Sequence, residues 1–510
     1  MTEISSNKRI ATNTLMLYFR MLISMAVSLY TSRIVLSTLG VVDFGIYNVV
    51  GGIIIMLGFL NHAMTASTQR FLIFELGKKD FDELKKVFNM SIVIHVALAL
   101  LIFILAETIG LWFFKQYLKI PNDRMSSANW VYHFSVFSFI ATIISVPYNA
   151  LIIAHEKMKA FAIIGIFEVF LKLAIVFLLM FISYDKLTLY AVLIFIVTLI
   201  ITGSYFIFSK LNFIESKGFS FNWDKILFLK MSNFAGWNLL GVTAGLGYIQ
   251  GINVLLNIFF GPTVNAARGI AFQVQGALNS FVSNFQVAVN PSITKNYAQN
   301  EFETSFKLVF GASKFSFFLL LLLSMPILIE TQLILKLWLK IVPNYTIIFT
   351  RLVIIDILIG SISGAIQNIV QASGEIRKYQ LIVSGILLLN LPASYVFLKI
   401  GYSPESTMFI SIFFSIIALL ARLLIVKSII NFPSLLFIKN VLLSIIAVTT
   451  ISYTISFFAY SYFNHTIGGF ILLGFVTSFS IIISILLIGL NKLERIMIIN
   501  KVKILLKINY

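Results

Sequence analysis

Long, unbroken apolar runs recur along the whole of this chain, and they constrain its fold more than any other feature. A helix that crosses a bilayer needs about 20 mostly apolar residues. Inside hydrocarbon the protein itself must satisfy every backbone N–H and C=O, which leaves helices or closed barrels. Barrel strands alternate apolar and polar positions over short stretches. These runs stay apolar over many turns and read as helices. The fold class is therefore all-α integral membrane. The composition agrees: 59% of the 510 residues are hydrophobic and 11% are charged. The first ten residues, MTEISSNKRI, lead into a run too long for a cleaved leader, so that run reads as an uncleaved span.

The runs predict fourteen spans, near 11–39, 44–75, 84–114, 127–154, 158–183, 187–209, 229–260, 262–295, 307–338, 347–373, 377–398, 403–428, 437–463 and 466–490. A shift of 221 residues lays the first six on the seventh to twelfth and carries Gly40 onto Gly261. Six is an even number, so the two halves share one orientation in the membrane. Parallel repeats of this kind are a transporter architecture. The expected organisation is an N-terminal six-helix lobe (1–215), a second six-helix lobe (216–430) around a central cavity, and two extra helices with a basic tail (431–510).

Net charge is +18. Most basic residues fall in the loops and tails of one side, Lys78, Lys79, Lys85, Lys86, Lys157 and Lys159 among them. The other side holds only Lys115, Lys119, Arg124, Lys186, Lys336, Lys340 and Lys399. The positive-inside rule then places both termini in the cytoplasm. Attraction to anionic lipid heads accounts for the remaining basic surplus. No basic, aromatic-interleaved soluble segment points to nucleic acid. The tail KLERIMIINKVKILLKINY reads as an interfacial amphipathic helix.

Several chemistries are missing from the sequence. Cysteine is absent. No Walker-type phosphate loop occurs. The five histidines, His62, His95, His133, His155 and His465, show no metal-ligand spacing. No cofactor is expected. The loops on the outer side are short, which argues against a membrane glycan polymerase or ligase.

Polar residues inside spans carry the functional signal, because ionisable groups at membrane depth are costly. In the eighth span Arg268, Gln275, Asn279, Gln286 and Asn290 fall on one helical stripe. Asn13, Arg20, Ser24, Thr31 and Thr38 do so in the first. Gln250 and Asn257 share a face of the seventh, with Asn253 beside it. His62, Thr65 and Gln69 align in the second, with Arg70 one residue on. A wet cavity explains these stripes; interhelical hydrogen bonding is the competing explanation.

The charges in the interiors of these four spans are Arg20, Arg33, Arg70 and Arg268, with no acid except Glu75 at the cytoplasmic end. Guanidinium pairs bidentately with phosphate, so the sign favours an anion. Arg33 and Arg70 also fit snorkelling to an interface. Glu168 and Lys172, four apart, suit a local ion pair or a coupling role. Asp356 and His62 are further coupling candidates.

Three segments resemble the polysaccharide/O-antigen flippase family of the multidrug/oligosaccharidyl-lipid/polysaccharide exporter superfamily. They are LGVVDFGIYNVVGG (39–52), VPYNALIIAHEKMKAFA (146–162) and QGINVLLNIFFGPTVNAARGIAFQVQGALNSFVSNFQVAVNPSITKNYA (250–298). The resemblance implies a two-lobed fold of twelve plus two helices in a bacterial inner membrane. It implies an undecaprenyl-diphosphate-linked oligosaccharide as cargo, with polysaccharide polymerase and ligase machinery as partners. Arg20 and Arg268 match the arginines that hold the diphosphate in such proteins. A cation-coupled exporter of the same superfamily stays open as an alternative, as does a glycan polymerase or ligase.

Overall fold

Among the described residues the expected spans fall on helices. A computed structural model describes residues 3–491 and 494–495, except 57, 118–119, 183, 219, 222, 261, 340–341 and 463–465. Within Glu3–Met56 the helix breaks at Gly40, giving α1 (3–39) and α2 (41–56, continued by Gly58–Lys78). Then follow α3 (Phe81–Gln116), α4 (Asn122–Ala154), α5 (Met158–Phe181), α6 (Lys186–Asn212), α7 (Lys225–Phe260) and α8 (Pro262–Ala298). The rest are α9 (Phe302–Ile329), α10 (Thr346–Ser373), α11 (Arg377–Lys399), α12 (Ser406–Ile430), α13 (Ser434–Tyr460) and α14 (Gly468–Gly489). Twelve helices among the described residues are long and apolar enough to cross a membrane. The helix of α2 after residue 57 and the whole of α8 fall outside that set, and both carry polar stripes.

The break at Gly40 has a local cause. Its backbone lies at φ 80 and ψ 169, a region open essentially to glycine alone. A Cβ there would touch nothing within 4 Å, so the constraint is purely conformational. Gly40→Ala should therefore cost about 1–3 kcal/mol through backbone strain. A lowered thermal unfolding midpoint in detergent checks this.

The chain divides into two compact units: 1–243 with 287–301, and 244–286 with 302–510. Two long continuous helices contribute to both units. The early part of α7 belongs to unit 1 and its remainder to unit 2; α8 makes the opposite change after Gln286. Unit 2 also absorbs α13 and α14, expected as an appendage, and Lys314 of α9 reaches Glu494 at 2.6 Å. The tail beyond 495 lies outside the described residues.

The repeat appears in the packing. In unit 1, Ile46 and Val50 of α2, Val131 and Tyr132 of α4, and Leu187 and Ala191 of α6 share one core. In unit 2 the repeat equivalents share another: Ala267 and Ala271 of α8, Phe349 and Val353 of α10, and Met408 of α12. Arg124 fastens one end of unit 1 by reaching Asp43 at 2.8 Å and Asp185 at 2.7 Å. Burial opposes the charge of Asp185, yet hydrogen bonds from Thr188, Ser127 and Arg124 hold its pKa down at about 2. The same carboxylate caps the start of α6.

Candidate functional site

In unit 1 the α1 stripe faces α5. The Arg20 guanidinium lies 4.4 Å over the Phe161 ring. Its stem fits because residue 165 is glycine: a Cβ there would stand 2.7 Å from Arg20 Cδ. Glu168 and Tyr205 are the charge neighbours of Arg20. Glu168 in turn accepts from Lys172 at 2.5 Å, the local pair its spacing suggested. The result is one carboxylate beside two cations. Asn13, the first residue of the stripe, is buried and donates to the Glu156 carbonyl at 3.3 Å.

Further along unit 1, Arg70 sits among aromatic rings, 4.6 Å from Phe71, 4.5 Å from Phe74 and 5.6 Å from Phe234. The cage joins rings of α2 and α7 around the guanidinium. His62 is exposed. The side chain of Arg33 lies outside the described ones.

In unit 2 the sequence candidates meet around one side chain. Arg268 is 1% exposed, the largest fully buried residue described. Its Nη1 donates to the Ile249 carbonyl at 3.2 Å and to Asn253 Oδ1, and its guanidinium lies 4.3 Å over Phe272. Asn253 also donates to Gln250 at 3.0 Å, and its carbonyl accepts from Asn265 at 3.0 Å. Gln250 is exposed, so Gln250, Asn253 and Arg268 form a polar path from the surface to the buried charge. Nε and Nη2 of Arg268 have no hydrogen-bond partner among the described residues. A buried charged donor left unpaired costs free energy, more than a neutral one.

The other residues of the α8 stripe separate. Gln275 is half-buried and Asn279 exposed. Gln286 presses on Gly364 of α10, where a Cβ would stand 2.1 Å from its Nε2. The Asn257 side chain lies outside the described ones.

A second polar cluster in unit 2 surrounds Asp356 of α10. It accepts from Ser415 at 2.6 Å and from Ser411 at 3.4 Å, both on α12. Ser411 shares a hydrogen bond of 2.5 Å with Tyr248 of α7. This bond ties Tyr248 of α7 to the Asp356 cluster. Arg351, close in sequence, instead donates to Thr331 at 3.2 Å. Arg422 of α12 is one more cation within a span; it donates to Tyr379 and Ser363, each at 3.0 Å.

Sequence reasoning missed Gly165, Tyr248, Ser411 and Ser415 as parts of these sites. Ser411 and Ser415 stand four apart on α12, a spacing that places them on one face. Gly165 carries no such signal, because its role depends on Arg20 of another helix.

No protein-family model and no curated protein matches the chain. Solved structures do match it in fold. One is a multidrug resistance MATE family transporter of the MOP superfamily in an outward-facing conformation. It is 12% identical with a TM-score of 0.69, and the match covers 84% of this chain and 98% of that one. The MATE transporter ClbM in complex with Rb+ is 13% identical with a TM-score of 0.70, covering 81% and 94%. A MOP superfamily transporter from Pyrococcus furiosus is 12% identical with a TM-score of 0.67, covering 82% and 95%. Reverse polarity of that protein's binding pocket is said to suggest a different function for it. On these matches the chain has the fold of the MATE transporters of the MOP superfamily.

Proposed function

We propose that this chain is a flippase that moves undecaprenyl-diphosphate-linked oligosaccharide from the cytoplasmic to the outer leaflet of a bacterial inner membrane. The observation that carries this reading is Arg268. It is a buried guanidinium with two donor nitrogens unpaired among the described residues, reached through Asn253 and Gln250. A diphosphate offers the planar, bidentate partner those donors lack. Because Arg268 is buried in this conformation, the anion engages it only as α7 and α8 part. Arg20, with Lys172, supplies a second cationic station in unit 1. The chain acts by alternating access as a transporter rather than an enzyme. The sequence carries no Walker-type phosphate loop, and an ion gradient, the membrane potential or removal of product drives it.

A deletion strain tests this reading. Complete oligosaccharide units should accumulate facing the cytoplasm, detected by a glycan probe in permeabilised but not intact cells. The intact protein should reverse this and Arg268→Ala should not. Unpolymerised units on the outer face would refute the reading in favour of a polymerase or ligase.

The Asp356 cluster favours a second reading, a cation-coupled exporter of small molecules. A carboxylate backed by Ser411, Ser415 and Tyr248 offers the oxygen donors a cation needs. In either reading Asp356 is the coupling residue. Asp356→Asn should lower gradient-driven transport about tenfold, for a coupling free energy of about 1–3 kcal/mol. The check is the initial rate with and without an imposed gradient; an unchanged response removes Asp356 from coupling.

A further inference from the structure

The side chains of the HEK segment between α4 and α5 have no place in the sites described so far. Glu156 adopts φ 56, a left-handed conformation rare for a residue with a side chain. It is also 5% exposed. Its carboxylate faces Arg9 of α1 at 2.6 Å and Lys295 of α8 at 3.0 Å. Its carbonyl accepts from Asn13. Next to it, His155 pairs with Glu215 of the α6–α7 connection and stacks on Phe213 at 4.2 Å. Two adjacent residues thus gather α1, the end of α8 and the connection between the repeats. Strained residues persist only where the surroundings over-determine them, and such places are enriched in switches.

A second contact serves the same end of α8. Gln299 donates to the Gly77 carbonyl at 2.8 Å. A Cβ at Gly77 would stand 2.9 Å from both Ala298 Cβ and Lys295 Cα, so α2 and α8 meet there backbone to backbone. α8 is one continuous helix, yet its residues up to Gln286 belong to unit 2 and those from Val287 belong to unit 1.

We propose that Glu156 is a positioning residue that clasps the last turns of α8 onto unit 1. Removing the Glu156 charge leaves the Lys295 ammonium without the buried carboxylate it pairs with. The end of α8 then leaves its seat.

The chain has no cysteine, so a single introduced thiol reports on one position. Ser292, in the clasped segment, is 3% exposed. Ser292→Cys in membranes should react slowly with a small maleimide. Adding Glu156→Gln should speed labelling by at least roughly tenfold, given the cost of breaking a buried pair. Glu156→Asp should restore slow labelling in part. Ser313→Cys is the control: it is fully buried in α9, within unit 2. Its labelling should stay slow in the Glu156→Gln background. An unchanged Ser292→Cys rate would overturn the clasp. Equal exposure of the Ser313→Cys thiol would overturn it too, showing general loosening instead. No cargo enters the measurement, so its failure leaves the flippase reading standing, and failure of that reading leaves the clasp standing.

Discussion

Arg268→Met should abolish transport and at the same time raise the unfolding temperature. The two effects share one cause. Arg268 is fully buried, with two guanidinium nitrogens that no described residue satisfies. Methionine removes the desolvation cost of the two unpaired nitrogens, which outweighs the donor that the Ile249 carbonyl and Asn253 Oδ1 lose. Methionine also keeps the contact with Phe272. Transport suffers because the unpaired donors are the feature that recognises an anion. Hydrogen bonds from a charged donor contribute about 1.5–3 kcal/mol each, so the initial rate should fall roughly 100-fold. Arg268→Lys should recover little, because an ammonium lacks the planar fork. Initial rates and thermal melts of the purified protein provide the check. A variant that melts lower and transports normally would show that Arg268 holds α7 to α8 and does nothing else.

The second large effect is expected at a residue that no charge or motif marks. Gly165→Val should impair transport as much as Arg20→Ala does. The space at Gly165 holds the Arg20 stem, with Cδ at 2.7 Å and Nη1 at 3.2 Å from where a Cβ would lie. Valine drives the guanidinium off Phe161 and away from Glu168. The lost cation–π contact alone contributes about 0.5–2 kcal/mol. With its electrostatic partners the loss in rate should reach about tenfold. A double-mutant cycle decides the mechanism. If Gly165 acts only by placing Arg20, the double variant Gly165→Val with Arg20→Ala loses no more than either single one. Fully additive losses would mean that valine damages packing of α5 on its own account.

The helices were legible because hydrocarbon demands continuous apolar runs, and the sequence has little choice about showing them. Even α8, which falls outside the helices apolar enough to cross a membrane, was legible as a span, and the 221-residue repeat lays it on α2. The Glu168–Lys172 pair was legible because helical spacing determines who meets whom within four residues. What lay beyond reach depends on helices distant in sequence. Asn253 stood beside the predicted stripe, but its position as the link between Gln250 and Arg268 follows from how α7 lies on α8. The sharing of α7 and α8 between the two compact units has the same origin. A repeat reveals where a unit was copied and says nothing of which neighbour each turn of a long helix packs against. The small residues of α7 show both sides. Gly251 lets Leu391 of α11 approach, with Cδ2 2.4 Å from where a Cβ would lie, whereas Gly236, Gly245 and Gly247 face open space.

The most direct test of the central claim is flipping by the purified protein in liposomes. Undecaprenyl-diphosphate-linked oligosaccharide would be placed in the inner leaflet and followed by its accessibility to an impermeant glycan-oxidising reagent outside. The account predicts that the intact chain exposes the cargo rapidly, that Arg268→Met does not, and that a cationic drug in the same vesicles does not compete. Inner-leaflet cargo that stays protected, in vesicles where the protein exports the drug, would contradict the flippase reading and support the cation-coupled exporter.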